Sequence, residues 1–177
     1  MAKNAKNKRN IKKLGYKFLS PNNYAKFIGV KFSTNCKFRT KYFVTKPYLI
    51  EVGDNVQTAM NVCFINHDGG VGVKNLYKDL KKIDLIKNIV IGDNVFIGFN
   101  VTILLGTKIG EKVIVGAGSV VRGELKSNGV YAGVPAKYIY SIDEYKEKNN
   151  NFFLNTSSTD SVKKEKILRE VFPESSS

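Results

Sequence analysis

The chain has 177 residues, 25% charged and 42% hydrophobic, with 29 Lys or Arg against 15 Asp or Glu and a net charge of +14. That length fits one domain with terminal appendages. Two cysteines exclude a disulfide scaffold, no apolar run reaches the roughly 20 residues of a membrane span, and no signal-peptide stretch opens the chain. A cytoplasmic protein with free thiols at Cys36 and Cys63 is expected.

Thirteen Lys or Arg precede the first acidic residue, Glu51, and the remaining 16 basic residues nearly balance the 15 acidic ones. The asymmetry marks residues 1–27 as a basic arm with a short cap helix around residues 7–19. Such an arm fits either a solvated Lys/Asn-rich segment or an anionic surface, with membrane association at the cytoplasmic face as the partner of the second reading. Nucleic acid is not expected, because aromatic interleaving is thin and no nucleic-acid motif is present.

A period of six then dominates. Ile28-Gly29, Phe32, Phe38, Val44 and Ile50 keep its rhythm, and Val52-Gly53-Asp54-Asn55-Val56-Gln57 and Thr58-Ala59-Met60-Asn61-Val62-Cys63 carry it to Asp68. From Ile91 to Leu125 the hexads read IGDNVF, IGFNVT, ILLGTK, IGEKVI, VGAGSV and VRGEL, with Ile or Val always first and mostly Gly second. A helix, whose faces repeat every 3.6 residues, cannot use this pattern. Short strands separated by Gly-rich corners can, which predicts an all-β parallel β-helix over residues 28–139. Residues 69–90 break the phase and are expected to form an extruded loop, and long loops in compact domains are usually functional.

The last third changes character. VYAGVPAKYI (130–139) reads as an extended strap, Ser141 to about Lys148 as a short helix with Glu144 in a capping box, and Ser161–Phe172 as an amphipathic helix within a 140–177 extension. Terminal helices would close the open ends of the β-helix, where unpaired strand groups invite aggregation.

His67 is the single histidine, placed where the hexads give way to the loop. Its ordinary pKa near 6.5 suits proton removal from a hydroxyl or amine. One histidine excludes the three-histidine zinc site of the β-helical carbonic anhydrases, so no metal is expected. No Gly-x-Ser-x-Gly elbow frames a nucleophilic serine.

The hexads, NVCFINHDGG (61–70), Gly116-Ala117-Gly118-Ser119-Val120-Val121 and Gly133-Val134-Pro135-Ala136-Lys137 together resemble the hexapeptide-repeat acyltransferases. The likeness is greatest to maltose, galactoside and capsular-polysaccharide O-acetyltransferases. The resemblance covers about residues 28–145. It implies a left-handed β-helix, a homotrimer, acetyl-CoA as acyl donor in a groove between neighbouring subunits, and a sugar or glycan acceptor. It places the general base at His67 and the cofactor contacts at Gly98, Phe99, Ala117 and Lys137. Where relatives carry Thr-Lys after Val-Val, this chain has Arg122-Gly123, which leaves Arg122 to supply the charge near the nucleotide phosphates. Asp68 would orient the imidazole, bind the acceptor or cap the turn, and backbone amides near Gly98 would hold the oxyanion. O-acetylation of a sugar hydroxyl is the function expected. N-acetylation of an amino sugar and a non-catalytic trimeric scaffold are the alternatives.

Overall fold

Hexads become strands because alternate residues turn inward and the corner residues accept left-handed backbone. In the computed structural model, which describes residues 14–73 and 83–173, the inward column runs through Val52, Val56, Val62 and Phe64. It continues through Ile91, Val95, Ile97, Val101, Ile103, Ile109, Val113, Val115, Val121 and Leu125, every one buried. The fourth hexad position holds the turn. Asn55, Asn61, Asn94, Asn100, Gly106 and Gly118 all have positive φ there, a region Asn and Gly enter at low cost. Lys112 takes the same conformation at φ 54° without that tolerance.

The strands stack into three parallel sheets, forming a solenoid of about five coils. One sheet joins β1 (Lys31–Phe32), β3 (Ile50–Val52), β8 (Ile89–Ile91), β11 (Lys108–Ile109) and β14 (Glu124–Leu125). A second joins β4 (Gln57–Thr58), β9 (Val95–Ile97), β12 (Val113–Val115) and β15 (Gly129–Ala132). The third joins β2 (Tyr42–Val44), β5 (Cys63–Ile65), β10 (Thr102–Ile103) and β13 (Val120–Val121). Between coils three and four the register advances 18 residues, Thr102 pairing Val120. Into the last coil it advances 16, Lys108 pairing Glu124, because the short hexad VRGEL turns at Gly123 with φ 73°.

Coil one departs from the expected phase. Ile28 ends a helix, α1 (Pro21–Ile28), rather than opening a hexad, and Val44 points outward while Phe43 points in. Phe43 stacks on Phe64 at 4.9 Å, a match that needs the extra residues of the turn Pro47–Leu49. Ser20 caps α1 by accepting from the Asn23 N–H, and Gly29 ends it in left-handed conformation at φ 96°. The inner residues of α1, Ala25 and Ile28, are buried in the same core as Val30, Phe38 and Phe43, so this helix closes the first coil. Helical residues 14–18 precede it, stopping one residue short of the expected 7–19 helix, whose residues 7–13 lie outside the described residues.

At the other end the strap is a hairpin. β15 is followed by a turn at Gly133 (φ 99°) with a cis Val134–Pro135 bond, and β16 (Lys137–Ser141) returns antiparallel to cover β15. No further hexad follows to pair with that edge, so the chain folds back on it. A separate compact unit comprises residues 144–177. The chain enters it through α2 (Ile142–Asn149), and it contains α3 (Ser161–Val171), which is capped by the Asp160 carboxylate accepting from the Lys163 N–H.

Candidate active site

The excursion from the coil begins and ends two residues earlier than the sequence implies. His67 and Asp68 have already left the solenoid as β6 (His67–Asp68), pairing antiparallel with β7 (Leu85–Ile86), and Ile89 is back in the coil. Residues 74–82 of the loop, with Tyr77, Asp79, Lys81 and Lys82, lie outside the described residues.

Asn66, a residue the sequence reading passed over, fixes this base. It is fully buried. Its Nδ2 donates to the Lys46 carbonyl at 2.6 Å, and its Oδ1 accepts from the Lys46 N–H at 3.3 Å. Its own carbonyl accepts from the Lys87 N–H at 3.1 Å, tying outgoing and returning chain together. The adjacent His67 is therefore held by backbone on both sides, with its side chain 30% exposed. Nε2 of His67 lies 3.8 Å from Oδ1 of Asp84, a carboxylate delivered by the return strand and also missed from sequence. That spacing makes an ion pair once the imidazole gains a proton. Asp68 caps the turn: its Oδ1 accepts from the Gly70 N–H at 2.8 Å.

The other expected site residues lie elsewhere on the coil. Gly98 and Phe99 of coil three, Ala117 of coil four and the turn before Lys137 stack in a row at the corner between the second and third sheets. Gly98 is glycine for packing. A Cβ there would sit 2.7 Å from the Ala117 N and 2.8 Å from the Val115 carbonyl, and the Gly98 N–H already donates to Val115 at 2.8 Å. Gly118 donates to the Phe99 carbonyl at 2.8 Å. Between these bonded positions, the N–H groups of Phe99 and Ala117 have no hydrogen-bond partner among the described residues. The open donors near Gly98 are thus those of its neighbours.

Ser119 is a packing residue, fully buried, donating to the Gly116 carbonyl at 2.7 Å and accepting from the Gly133 N–H at 3.1 Å. Arg122 is exposed on the opposite edge of the third sheet, and Lys137 is exposed at the start of β16. Beside the donor row, coils one to three form a groove of about 590 Å³ lined by Asn22, Lys37, Arg39, Met60, Phe96 and Phe99 among others. Met60, Phe96 and Phe99 are each close to half exposed, an apolar floor under two cations.

One chain does not bring His67 to this row. Six residues of coil separate Met60 from His67, roughly 20 Å of extended chain, with the third sheet between them. Burial pushes both the Cys36 and the Cys63 thiol up, which disfavours the thiolate. Among the described residues, no group of three or more His, Cys, Asp or Glu is arranged to hold a metal ion.

Fold and corner geometry define a hexapeptide-repeat solenoid, and comparison with known proteins agrees. Residues 88–122 match the family described as the hexapeptide repeat of succinyl-transferase. Protein CapG of Staphylococcus aureus is 40% identical over 124 residues, covering 68% of this chain and 71% of that protein. The chain belongs to the hexapeptide-repeat acetyltransferases, with their left-handed parallel β-helix. A putative lipopolysaccharide biosynthesis O-acetyl transferase of Escherichia coli K12, WbbJ, is 36% identical over 61% of this chain and 58% of its own length. The solved galactoside acetyltransferase in complex with coenzyme A is 31% identical with a TM-score of 0.50, over 67% of this chain and 62% of that one. The chain therefore spans somewhat under two thirds of these last two proteins.

Proposed function

We propose that this protein transfers an acetyl group from acetyl-CoA to a sugar hydroxyl of a glycan, with His67 as general base. The observation that carries the reading is the pairing of two features. A single histidine is pinned by Asn66 at the base of the loop, and a row of open backbone N–H groups stands at another corner.

The row suits the pantetheine arm of CoA, whose amide carbonyls need donors: Phe99 toward the thiol end and Ala117 further along. Lys137, at the end of the row, supplies a cation for the nucleotide phosphates, and Arg122, on the edge of the third sheet that carries His67, reaches them from the neighbouring copy. Because the row and His67 lie on different corners, a second copy of the chain completes the site, which accords with a homotrimer holding donor between neighbours. His67 removes the proton from the acceptor hydroxyl as its oxygen bonds to the thioester carbonyl carbon. The tetrahedral oxyanion is held by an open amide of the row, the C–S bond breaks, and the imidazolium returns the proton to the departing thiolate. Asp84 stabilises the imidazolium between those steps. Asp68 acts through the turn it caps, and the groove over Met60, Phe96 and Phe99 seats the acceptor. A donor of this kind places the reaction in the cytoplasm. No helix among the described residues is long and apolar enough to cross a membrane.

The test is thiol release from acetyl-CoA across a panel of sugars and amino sugars, with CoA-dependent thermal stabilisation as a binding control. His67→Ala should lose about 10²–10⁴-fold in kcat while keeping the oligomer mass and the CoA shift. Turnover near wild type in that variant removes His67 from its role. Turnover only with amino sugars makes the enzyme an N-acetyltransferase, and a chain that neither binds CoA nor releases thiol is a scaffold.

A further inference from the structure

The face of α1 turned away from the core, and the helical residues 14–18 before it, carry side chains that catalysis does not use. The Gly15 Cα lies against the Phe27 ring, with an ideal Cβ 3.0 Å from it, and Tyr16 packs edge-on to Tyr24 at 5.4 Å. Lys41 Nζ donates to the Tyr16 carbonyl at 2.7 Å, so this segment is anchored to coil one. Yet Leu14 is 62% exposed, Phe18 70% and Phe27 46%, and Tyr48, beside Gly29, is 54%. Interleaved with them are exposed Lys17, whose Nζ lies 5.5 Å from the Phe18 ring centroid, and Lys26. Six more Lys or Arg occupy residues 1–13, and no carboxylate side chain occurs before Glu51. Among the described residues Lys17, Lys26, Lys37, Arg39, Lys41 and Lys46 form no ion pair.

We propose that this N-terminal cap is a docking surface for an anionic lipid bilayer. Solvation alone accounts for the lysines but leaves Leu14 and Phe18 in water. A protein partner accounts for the apolar side chains but not for eight Lys or Arg up to Ile28 without one acid. A bilayer with anionic headgroups takes both, with the rings and Leu14 at the headgroup–acyl boundary and the cations against lipid phosphates. Nucleic acid would take the cations but has no use for the exposed leucine, and the aromatics are too few for a stacking platform.

The placement fits an acceptor carried on a lipid. The groove begins at Asn22 in the first turn of α1, and coils stack about 4.8 Å apart, so Phe99 in coil three lies on the order of 10 Å from coil one. Docking is nevertheless independent of the acyl-transfer reading, and failure of either leaves the other standing.

The full chain is sedimented with phosphatidylcholine vesicles and with vesicles of phosphatidylcholine and phosphatidylglycerol, at low and raised salt. Binding to the anionic vesicles alone, weakened by salt, is expected. Lys17→Glu with Lys26→Glu, and separately Leu14→Ser with Phe18→Ser, should each weaken it by at least about tenfold. Both pairs should retain wild-type circular dichroism and thiol release with a soluble acceptor. The two pairs alter different chemistry, so misfolding of one leaves the other decisive. No vesicle binding, equal binding to neutral vesicles, or binding unaltered in a folded variant overturns the proposal. So does displacement by a stoichiometric RNA oligonucleotide, which assigns the surface to nucleic acid. A fall in oligomer mass for Leu14→Ser with Phe18→Ser, without loss of vesicle binding, assigns it to a second copy of the chain.

Discussion

Replacing Asn66 by alanine separates the holding of the histidine from its chemistry. The side chain is fully buried and its 2.6 Å bond to the Lys46 carbonyl is the principal loss. The Lys46 N–H keeps an alternative acceptor, the Val44 carbonyl at 3.1 Å, so the 3.3 Å bond to Oδ1 adds little. The Lys46 carbonyl keeps a second donor, the Leu49 N–H at 3.0 Å, so the loss is that of one short buried bond, about 1 kcal/mol. For a chain of this size that is roughly 2–4 °C in Tm. Asn66→Asp should fare no better at neutral pH, since a carboxylate oxygen then faces the Lys46 carbonyl. Differential scanning fluorimetry reads the stability, and thiol release well below Tm reads the activity. Asn66→Ala should lower both. His67→Ala, which breaks no such bond, should lower activity alone. An unchanged Tm for Asn66→Ala, or full activity despite a lowered Tm, refutes the claim that this amide positions the base.

Gly98→Ala places a methyl against the Ala117 and Val115 backbones and should cost about 1–3 kcal/mol, with a matching loss of the CoA thermal shift. A wild-type shift would show that the corner row does not hold the cofactor. Lys112→Asn relieves a left-handed residue at an exposed corner and should raise Tm by roughly 2–4 °C, read by the same scan. Iodoacetamide should modify Cys36 and Cys63 at pH 8 more slowly than a cysteine peptide, with denaturant removing the difference. Because their folded thiols titrate above the unfolded ones, these residues leave stability unchanged below the ordinary thiol range. They weaken it as pH rises above that range, which urea midpoints across pH would measure.

The repeat was legible because burial in a solenoid is a local matter. Ile91, Ile97 and Ile103 face the core for the same reason, six residues apart, and no distant contact is needed to see it. Where coil one takes extra residues at Pro47–Leu49, the phase slipped unseen, because only pairing with coil two shows that Phe43, not Val44, meets Phe64. The strap failed likewise. Gly133 and Pro135 announce a turn, but the antiparallel return of β16 depends on an open edge that the hexads do not mention. In the site, His67 stood out by being alone. Asn66 and Asp84 did not, since their partners, Lys46 and His67, are 20 and 17 residues away along the chain.

The sequence by itself determined the period, the inward column, the corners where Asn and Gly turn, and the point at which the coil is interrupted. All of these are set by the alternation of side chains along a strand and the φ each residue tolerates. Only the tertiary structure decided that Gly98 serves packing while Phe99 and Ala117 keep open amides. It alone put Asp68 on a turn and Asp84 beside the imidazole, and separated the histidine from the donor row by a full sheet. Most of those outcomes depend on how one coil lies on the next, and stacking is a relation between residues that the chain places 16 or more positions apart.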